Sequence, residues 1–228
     1  MKKIRIAFEQ KEVFDFDYAA VVIDLFRFSC TLACLLEKGK KEVKIFSDKE
    51  YAVLYHRNNP GGEFFSEIDI DNLEKFDNSP YLALNKSDPS KPAVIVTNSG
   101  SKAVMACRKA EEIFVAGFHN LPFLMEKLKN YQKDILIVPA CIFYNRNHSE
   151  DFIAAEVFYN SLSKGVCDKE SIFKIHNTPR ILELMNFRPS TAKSDLEIIM
   201  NMGNIKALPK AKIKVNYAEV ENVAGRLE

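Results

Sequence analysis

The 228-residue sequence is poor in glycine, with eight, and in cysteine, with five, and its charges nearly cancel at a formal net charge of +1. Each shortage removes a class of function. A chain this close to neutral carries no general attraction for a polyanion, so nucleic acid is not an expected partner. No apolar run approaches the roughly 20 residues of a membrane span, so no membrane partner is expected either. The N-terminal Met-Lys-Lys-Ile-Arg-Ile alternates like a short strand and lacks the apolar core of a signal peptide. The cysteines, at 30, 34, 107, 141 and 167, are odd in number and form no Cys-x-x-Cys pair. They read as reduced, mostly buried thiols, and a cytoplasmic protein is expected. The closing Gly-Arg-Leu-Glu resembles an appended tail, and no functional reading rests on it.

Missing motifs restrict the chemistry further. No G-x-G-x-x-G follows a strand and no G-x-x-x-x-G-K-[ST] occurs, so dinucleotide and P-loop nucleotide sites are not expected. An aspartyl-phosphate phosphatase wants a second Asp two residues after its nucleophile, and two residues after Asp24 stands Phe26. A cysteine phosphatase loop needs five residues between Cys and Arg, whereas four separate Cys141 from Arg146. Covalent phosphoenzyme catalysis therefore has little support.

What remains is a globular composition, 47% hydrophobic and 28% charged. Residues 21–31, Val-Val-Ile-Asp-Leu-Phe-Arg-Phe-Ser-Cys-Thr, organise it. A continuously apolar strand ends at Asp24, and Ser29 is placed to cap a helix that Gly39 closes. Strands are predicted at 3–8, 42–46, 93–96, 112–116 and 134–138, with weaker signals at 67–70 and 213–215. A capping box at Ser47 and Glu50 opens a helix to about residue 57, and Ser79-Pro80 opens another. Further helices are predicted after 100, 120 and 150, and at 178–185 and 191–202. Strand and helix alternate as in parallel α/β crossovers. One domain over residues 1–228 is expected, with a smaller lobe around 60–90 or from about 165 onward as the alternative.

Four strands end in polar loops that precede helices, and a parallel sheet brings such loops to one edge. Asp24 follows four apolar residues, so its poorly solvated carboxylate needs a metal or a cation. Arg27 can fork onto a phosphate or sulfonate, or pair with Asp24 itself. Thr97-Asn98-Ser99-Gly100-Ser101 is either an anion cradle or a capped turn. His119 and His148 are either general acids or loop histidines. Glu63, Asp77, Glu150 and Asp151 lie in or beside loops, and Mg²⁺ needs only one or two carboxylates with water and phosphate oxygens.

Taken in order, these clusters resemble the 2-phosphosulfolactate phosphatase (ComB) family. Its Asp-x-x-Arg-x-Ser/Thr segment resembles Asp24 to Ser29, followed by Thr31, and its Gly-Glu element resembles Gly62-Glu63. Its Phe-Asp-x-Gly-Asn-Ser-Pro element is similar to Phe76-Asp77-Asn78-Ser79-Pro80, two positions shorter here. Its Thr-Asn-Gly-Thr loop is similar to residues 97–101, with a Ser inserted. Asn120, the helix entrance Ser149-Glu150-Asp151 and the stretch 195–209 match later elements. Pro139-Ala140-Cys141 stands where the family has Cys-Ala-Gly.

The resemblance implies a three-layer α/β/α fold with a largely parallel, mixed sheet. It implies Mg²⁺-dependent hydrolysis of a small anionic phosphoester, the phosphate ester of a sulfonated or carboxylated hydroxy acid. Phosphate and sulfolactate are the products, and the step belongs to coenzyme M biosynthesis in organisms that make that cofactor. Catalytic roles are implied for Asp24, Arg27, Glu150 and Asp151. Phosphate or substrate binding is implied for Arg27, Ser29, Thr31, Ser79, Thr97, Asn98, Ser99, Gly100, Ser101 and Asn120. Metal ligation is implied for Asp24, Glu63, Asp77 and Asp151. A homodimer is left open. Replacing Arg27 by Ala is expected to abolish activity and leave the fold intact. The alternative is a divergent copy that binds a small anion without turnover.

Overall fold

Five consecutive buried apolar residues make β2 (Ala19–Ile23) the strand around which the sheet is laid. It pairs in parallel with β6 (Glu112–Val115) on one side and β7 (Ile135–Pro139) on the other, and β7 pairs in parallel with β1 (Ile4–Ile6). A second parallel group consists of β3 (Val43–Phe46), β5 (Ala93–Val96) and the edge strand β4 (Glu63–Phe65). The antiparallel hairpin of β8 (Pro209–Ile213) and β9 (Ala218–Asn222) joins the two groups, giving the order β1-β7-β2-β6-β8-β9-β3-β5-β4. This computed structural model describes residues 2–167 and 169–224, and the C-terminal Gly-Arg-Leu-Glu lies outside them.

The helices among the described residues are α1 (Lys11–Phe14), α2 (Phe28–Glu37), α3 (Lys49–Asn58), α4 (Pro80–Asn85) and α5 (Gly100–Ala106), then α6 (Leu121–Leu128), α7 (Ser149–Lys164), α8 (Lys169–His176), α9 (Pro179–Phe187) and α10 (Ala192–Met200). The result is the expected three-layer α/β/α fold with a mostly parallel, mixed sheet. No helix among the described residues is long and apolar enough to cross a membrane. Cys30, Cys34, Cys107 and Cys141 are buried thiols, and Cys167 is partly buried.

Local sequence explains the elements nearest the site. Every residue of α2 except Glu37 is buried, so the helix is apolar all round and sits inside the molecule. Gly39, at φ +94°, ends it: its N–H bonds the Leu36 carbonyl at 2.9 Å and the Lys40 N–H bonds that of Leu35 at 3.2 Å. Two caps differ from expectation. Ser29 lies within α2, where its Oγ accepts the Asp24 N–H at 3.0 Å, and Asp48 rather than Ser47 caps α3 by accepting the Tyr51 N–H at 2.9 Å. The strand expected at 67–70 is absent; β4 precedes it. The strand expected at 213–215 is replaced by the longer hairpin. Lys210 and Lys212 disguise β8 as a surface segment, yet Lys210 Nζ meets Glu112 Oε1 at 2.8 Å beside the sheet.

His119, just after β6, is fully buried, and neither ring nitrogen has a partner. Burial pushes its pKa down to about 3, which rules out the general-acid reading. In the unfolded chain it takes a proton near pH 6.5, whereas the folded chain refuses that proton until about pH 3. Its contribution is therefore complete above pH 6.5 and is lost as pH falls toward 3. Urea denaturation between pH 7 and 4 is expected to show a falling midpoint, flatter in His119→Leu; an unchanged slope would assign the decline to other groups.

Candidate active site at the carboxyl edge of the sheet

The loop after β2 carries Arg27 to the carboxyl edge of the sheet and buries it to 4% exposure. A buried guanidinium requires carboxylate partners. They are Asp77 Oδ2, 2.8 Å from Arg27 Nη1, and Asp195 Oδ2, 3.0 Å from the same atom. The expected partner Asp24 is not among them. Asp195, on α10, is fully buried and also accepts the Ser79 hydroxyl at 2.6 Å and the Tyr81 N–H at 3.0 Å. Asp77 extends the chain to Arg188 Nε at 3.0 Å. Among the described residues nothing bonds Arg27 Nε or Nη2, and Arg27 lines a cavity of about 340 Å³.

Asp24 and Ser99 line the same cavity, and Ser99 Oγ donates to Asp24 Oδ2 at 2.7 Å. The other oxygen, Oδ1, accepts the Phe28 N–H at 3.3 Å. Burial raises the Asp24 pKa, against the pull of these donors and of the Gly100 N–H. Gly100 has to be glycine: a Cβ there would fall 2.3 Å from the Phe28 ring and 2.7 Å from Asp24 Oδ2. Asn98 also lines the cavity, and its N–H donates to Glu67 Oε1 at 2.7 Å. Glu67 completes this wall. Its Oε2 is buried without a partner, and burial raises its pKa, with the charge of Asp24 acting in the same direction. Asn78 and His148 stand at the wall as well; burial, then Arg180, lowers the His148 pKa.

Other expected site residues serve the scaffold. Thr97 and Ser101 are buried and bonded to each other: Thr97 Oγ1 accepts the Ser101 N–H at 3.0 Å and Ser101 Oγ accepts the Thr97 N–H at 3.0 Å. Residues 97–101 are thus a locked turn, of which only Asn98 and Ser99 face the cavity. Ser29 holds the Asp24 N–H, and Thr31 Oγ1 bonds the Arg27 carbonyl at 3.2 Å inside α2. Ser79 caps α4 by accepting the Leu82 N–H at 3.2 Å and anchors Asp195. Asn120 is consumed by the Gly117 N–H and the Ala207 carbonyl, both at 3.0 Å.

Three of the four expected metal ligands are engaged elsewhere. Glu63 starts β4, at the amino edge of the sheet, and meets Lys40 Nζ at 2.8 Å, Ser87 Oγ at 2.6 Å and the Asp88 N–H at 2.7 Å. Asp77 is shared by two arginines. Asp151 accepts the Leu25 N–H at 2.8 Å and the Cys141 N–H at 2.9 Å, so it ties the β2 and β7 loops together. Burial, then the charges of Asp24 and Glu150, pushes its pKa well up. Glu150 is buried beneath the wall, one oxygen on Arg180 Nε at 3.1 Å and the other unpartnered. Neither Glu150 nor Asp151 lines the cavity, so neither is placed to exchange protons with a ligand there.

Known proteins resemble this chain over most of its length. Residues 6–212 match the family described as 2-phosphosulpholactate phosphatase. The chain belongs to the 2-phosphosulpholactate phosphatase family. Relatives named "Probable 2-phosphosulfolactate phosphatase" include one from Thermoplasma volcanium, 27% identical over 91% of this chain and 95% of that protein. One from Thermoplasma acidophilum is 23% identical over 83% and 84% respectively. One from Clostridium beijerinckii is 30% identical over 63% of this chain and 61% of that protein, under two thirds of its length. The family's named activity is that of a phosphoric monoester hydrolase.

A phosphatase of this family that uses Mg²⁺ needs oxygen ligands without competing cations. Asp24 and Glu67 meet that condition: both line the cavity, neither is in an ion pair among the described residues, and Glu67 Oε2 is unpartnered. Among those residues no three His, Cys, Asp or Glu side chains form a ready-made cage. Glu67 had no motif to mark it. Arg180, Glu183, Leu184, Phe187 and Arg188 come to the cavity from a segment whose helical periodicity alone was visible.

The ion pairs also revise the expectation for Arg27→Ala, which would leave two carboxylates facing an empty guanidinium site. Breaking the same pair from the other side, Asp195→Ala is expected to cost about 3–5 kcal/mol in denaturant unfolding. A loss within 0.5 kcal/mol, roughly the size of an ordinary surface change, would show that the pair is not holding α10 in place.

Proposed function

We propose that this protein is a Mg²⁺-dependent phosphomonoesterase that hydrolyses the phosphate ester of a sulfonated or carboxylated hydroxy acid, 2-phosphosulfolactate being the family's named substrate. The observation that carries the reading is the meeting of Asp24, Arg27, Asn98, Ser99 and Glu67 at one cavity within the family match. The free edge of the Arg27 guanidinium suits two phosphoryl oxygens, and Asp77 and Asp195 hold its other corner still. Ser99 orients Asp24, and the Asn98 N–H orients Glu67. Asp24 and Glu67 would hold the metal. Mg²⁺ bound there supplies neutralisation of phosphoryl charge and Lewis-acid activation of water. The buried position of Arg27 makes its interaction with a phosphoryl group stronger than it would be in water, and that of Asp24 does the same for its hold on the cation. The cavity, about 340 Å³, is near the small end of the roughly 300–1,000 Å³ range of ligand pockets and suits a small acid.

The test is phosphate release from 2-phosphosulfolactate and a panel of small phosphoesters, with Mg²⁺ and with chelator. Turnover that requires Mg²⁺ is expected, and no release from any ester with Mg²⁺ present would overturn the reading. Arg27→Lys keeps the charge for Asp77 and Asp195 but loses the fork. It is expected to lower kcat/KM by about 10²–10³-fold, as for loss of one donor to the developing charge.

A further inference from the structure

The helix α9 turns one face to the cavity. Arg180, Glu183, Leu184 and Phe187 follow the i, i+3, i+4, i+7 spacing of a single helical stripe, and Arg188 follows at its end. Leu182 and Met185, on the other side, are exposed. The cavity thus has guanidiniums at two depths. Arg27 is at the floor with Asp24 and Ser99, its side chain 4% exposed, whereas those of Arg180 and Arg188 are 20% and 36% exposed toward the rim. The lining contains no lysine, so these three arginines are its only permanent cations among the described residues.

The rim arginines are held in a way that leaves them able to take a ligand. Arg180 Nε is anchored on buried Glu150, while its Nη1 meets Glu183, a half-exposed i,i+3 partner of the kind that contributes little. Among the described residues nothing bonds Arg180 Nη2. Arg188 is anchored through Nε on Asp77, and its Nη1 and Nη2 reach only carbonyls, of Phe187 at 3.2 Å and Glu67 at 3.3 Å. Long bonds to neutral acceptors are readily exchanged for charge-assisted ones. A neutral alkyl or sugar tail would give these two guanidiniums no charged acceptor.

We infer that Arg180 and Arg188 on the α9 face are specificity-determining residues that read anionic groups at the non-reacting end of the substrate, so that the enzyme selects phosphoesters bearing one or two further acid groups. The inference rests on the phosphatase reading for the reacting end alone. Glu150 and Asp77 fix the direction of each fork, and Glu183 occupies Arg180 until a substrate anion displaces it.

The test compares kcat/KM for 2-phosphosulfolactate, phosphoglycolate and glycerol 2-phosphate, which carry two, one and no acid groups besides the phosphate. The wild type is expected to rank them in that order. In Arg180→Gln and Arg188→Gln the ratio of the two-acid ester to the neutral ester is expected to fall about 10–100-fold, chiefly through KM, in line with loss of a charged hydrogen bond. Arg180→Lys is expected to recover part of that ratio. Calorimetric titration with sulfolactate, against inorganic phosphate as control, reads the same contacts without turnover. If no ester releases phosphate, the phosphatase reading fails, and weaker sulfolactate binding in the variants would still uphold the arginine assignment. An unchanged ester ratio with unchanged sulfolactate affinity in folded variants would overturn it. So would an equal loss on all three esters, which would make the arginines scaffold.

Discussion

The structure depends on satisfying one buried guanidinium. Arg27 cannot stay charged at 4% exposure without carboxylates, and it draws them from two distant segments, the loop after β4 and helix α10. Asp195 in turn holds the Ser79 hydroxyl and the Tyr81 N–H at the start of α4. Three stretches of chain, the loop after β2, residues 77–81 and α10, are thus joined through one charged group. The contacts that stabilise this junction also aim the rest of the guanidinium into the cavity, so stability and preorganisation share the same atoms.

The acid side of the cavity carries the opposite tension. Burial raises the pKa values of Asp24, Glu67, Glu150 and Asp151 together, because carboxylates crowd a dry edge of the sheet. Asp151 is quieted by two backbone N–H groups and Glu150 by Arg180. Asp24 and Glu67 keep their charge problem at the cavity wall, where a bound cation would resolve it. That division separates carboxylates that hold loops from those available to a ligand.

Much of the frame was legible. The continuous apolar run of β2 marks an inner parallel strand, and its carboxyl end marks where polar loops gather. Asp24, Arg27, Asn98 and Ser99 were found because they sit on that edge. Their neighbours Ser29, Thr31, Thr97, Ser101 and Asn120 looked the same in sequence. A hydroxyl or amide that bonds its own backbone has the same residue type and spacing as one that bonds a ligand. Glu63 and Glu67 show the limit most directly. They are four residues apart, yet β4 runs between them, so one lies at the amino edge against Lys40 and the other beyond the carboxyl edge at the cavity.

The sequence by itself determined the alternating α/β architecture, the inner strand and the edge at which the site forms, because apolar runs, caps and turn residues act over short distances. Only the tertiary structure decided which polar groups face the cavity. It set Arg27 on Asp77 and Asp195 instead of Asp24, brought Glu67 in place of Glu63, and laid the α9 arginines along the rim. Those choices follow from where buried charges find partners across the whole fold, and local sequence does not encode that pairing.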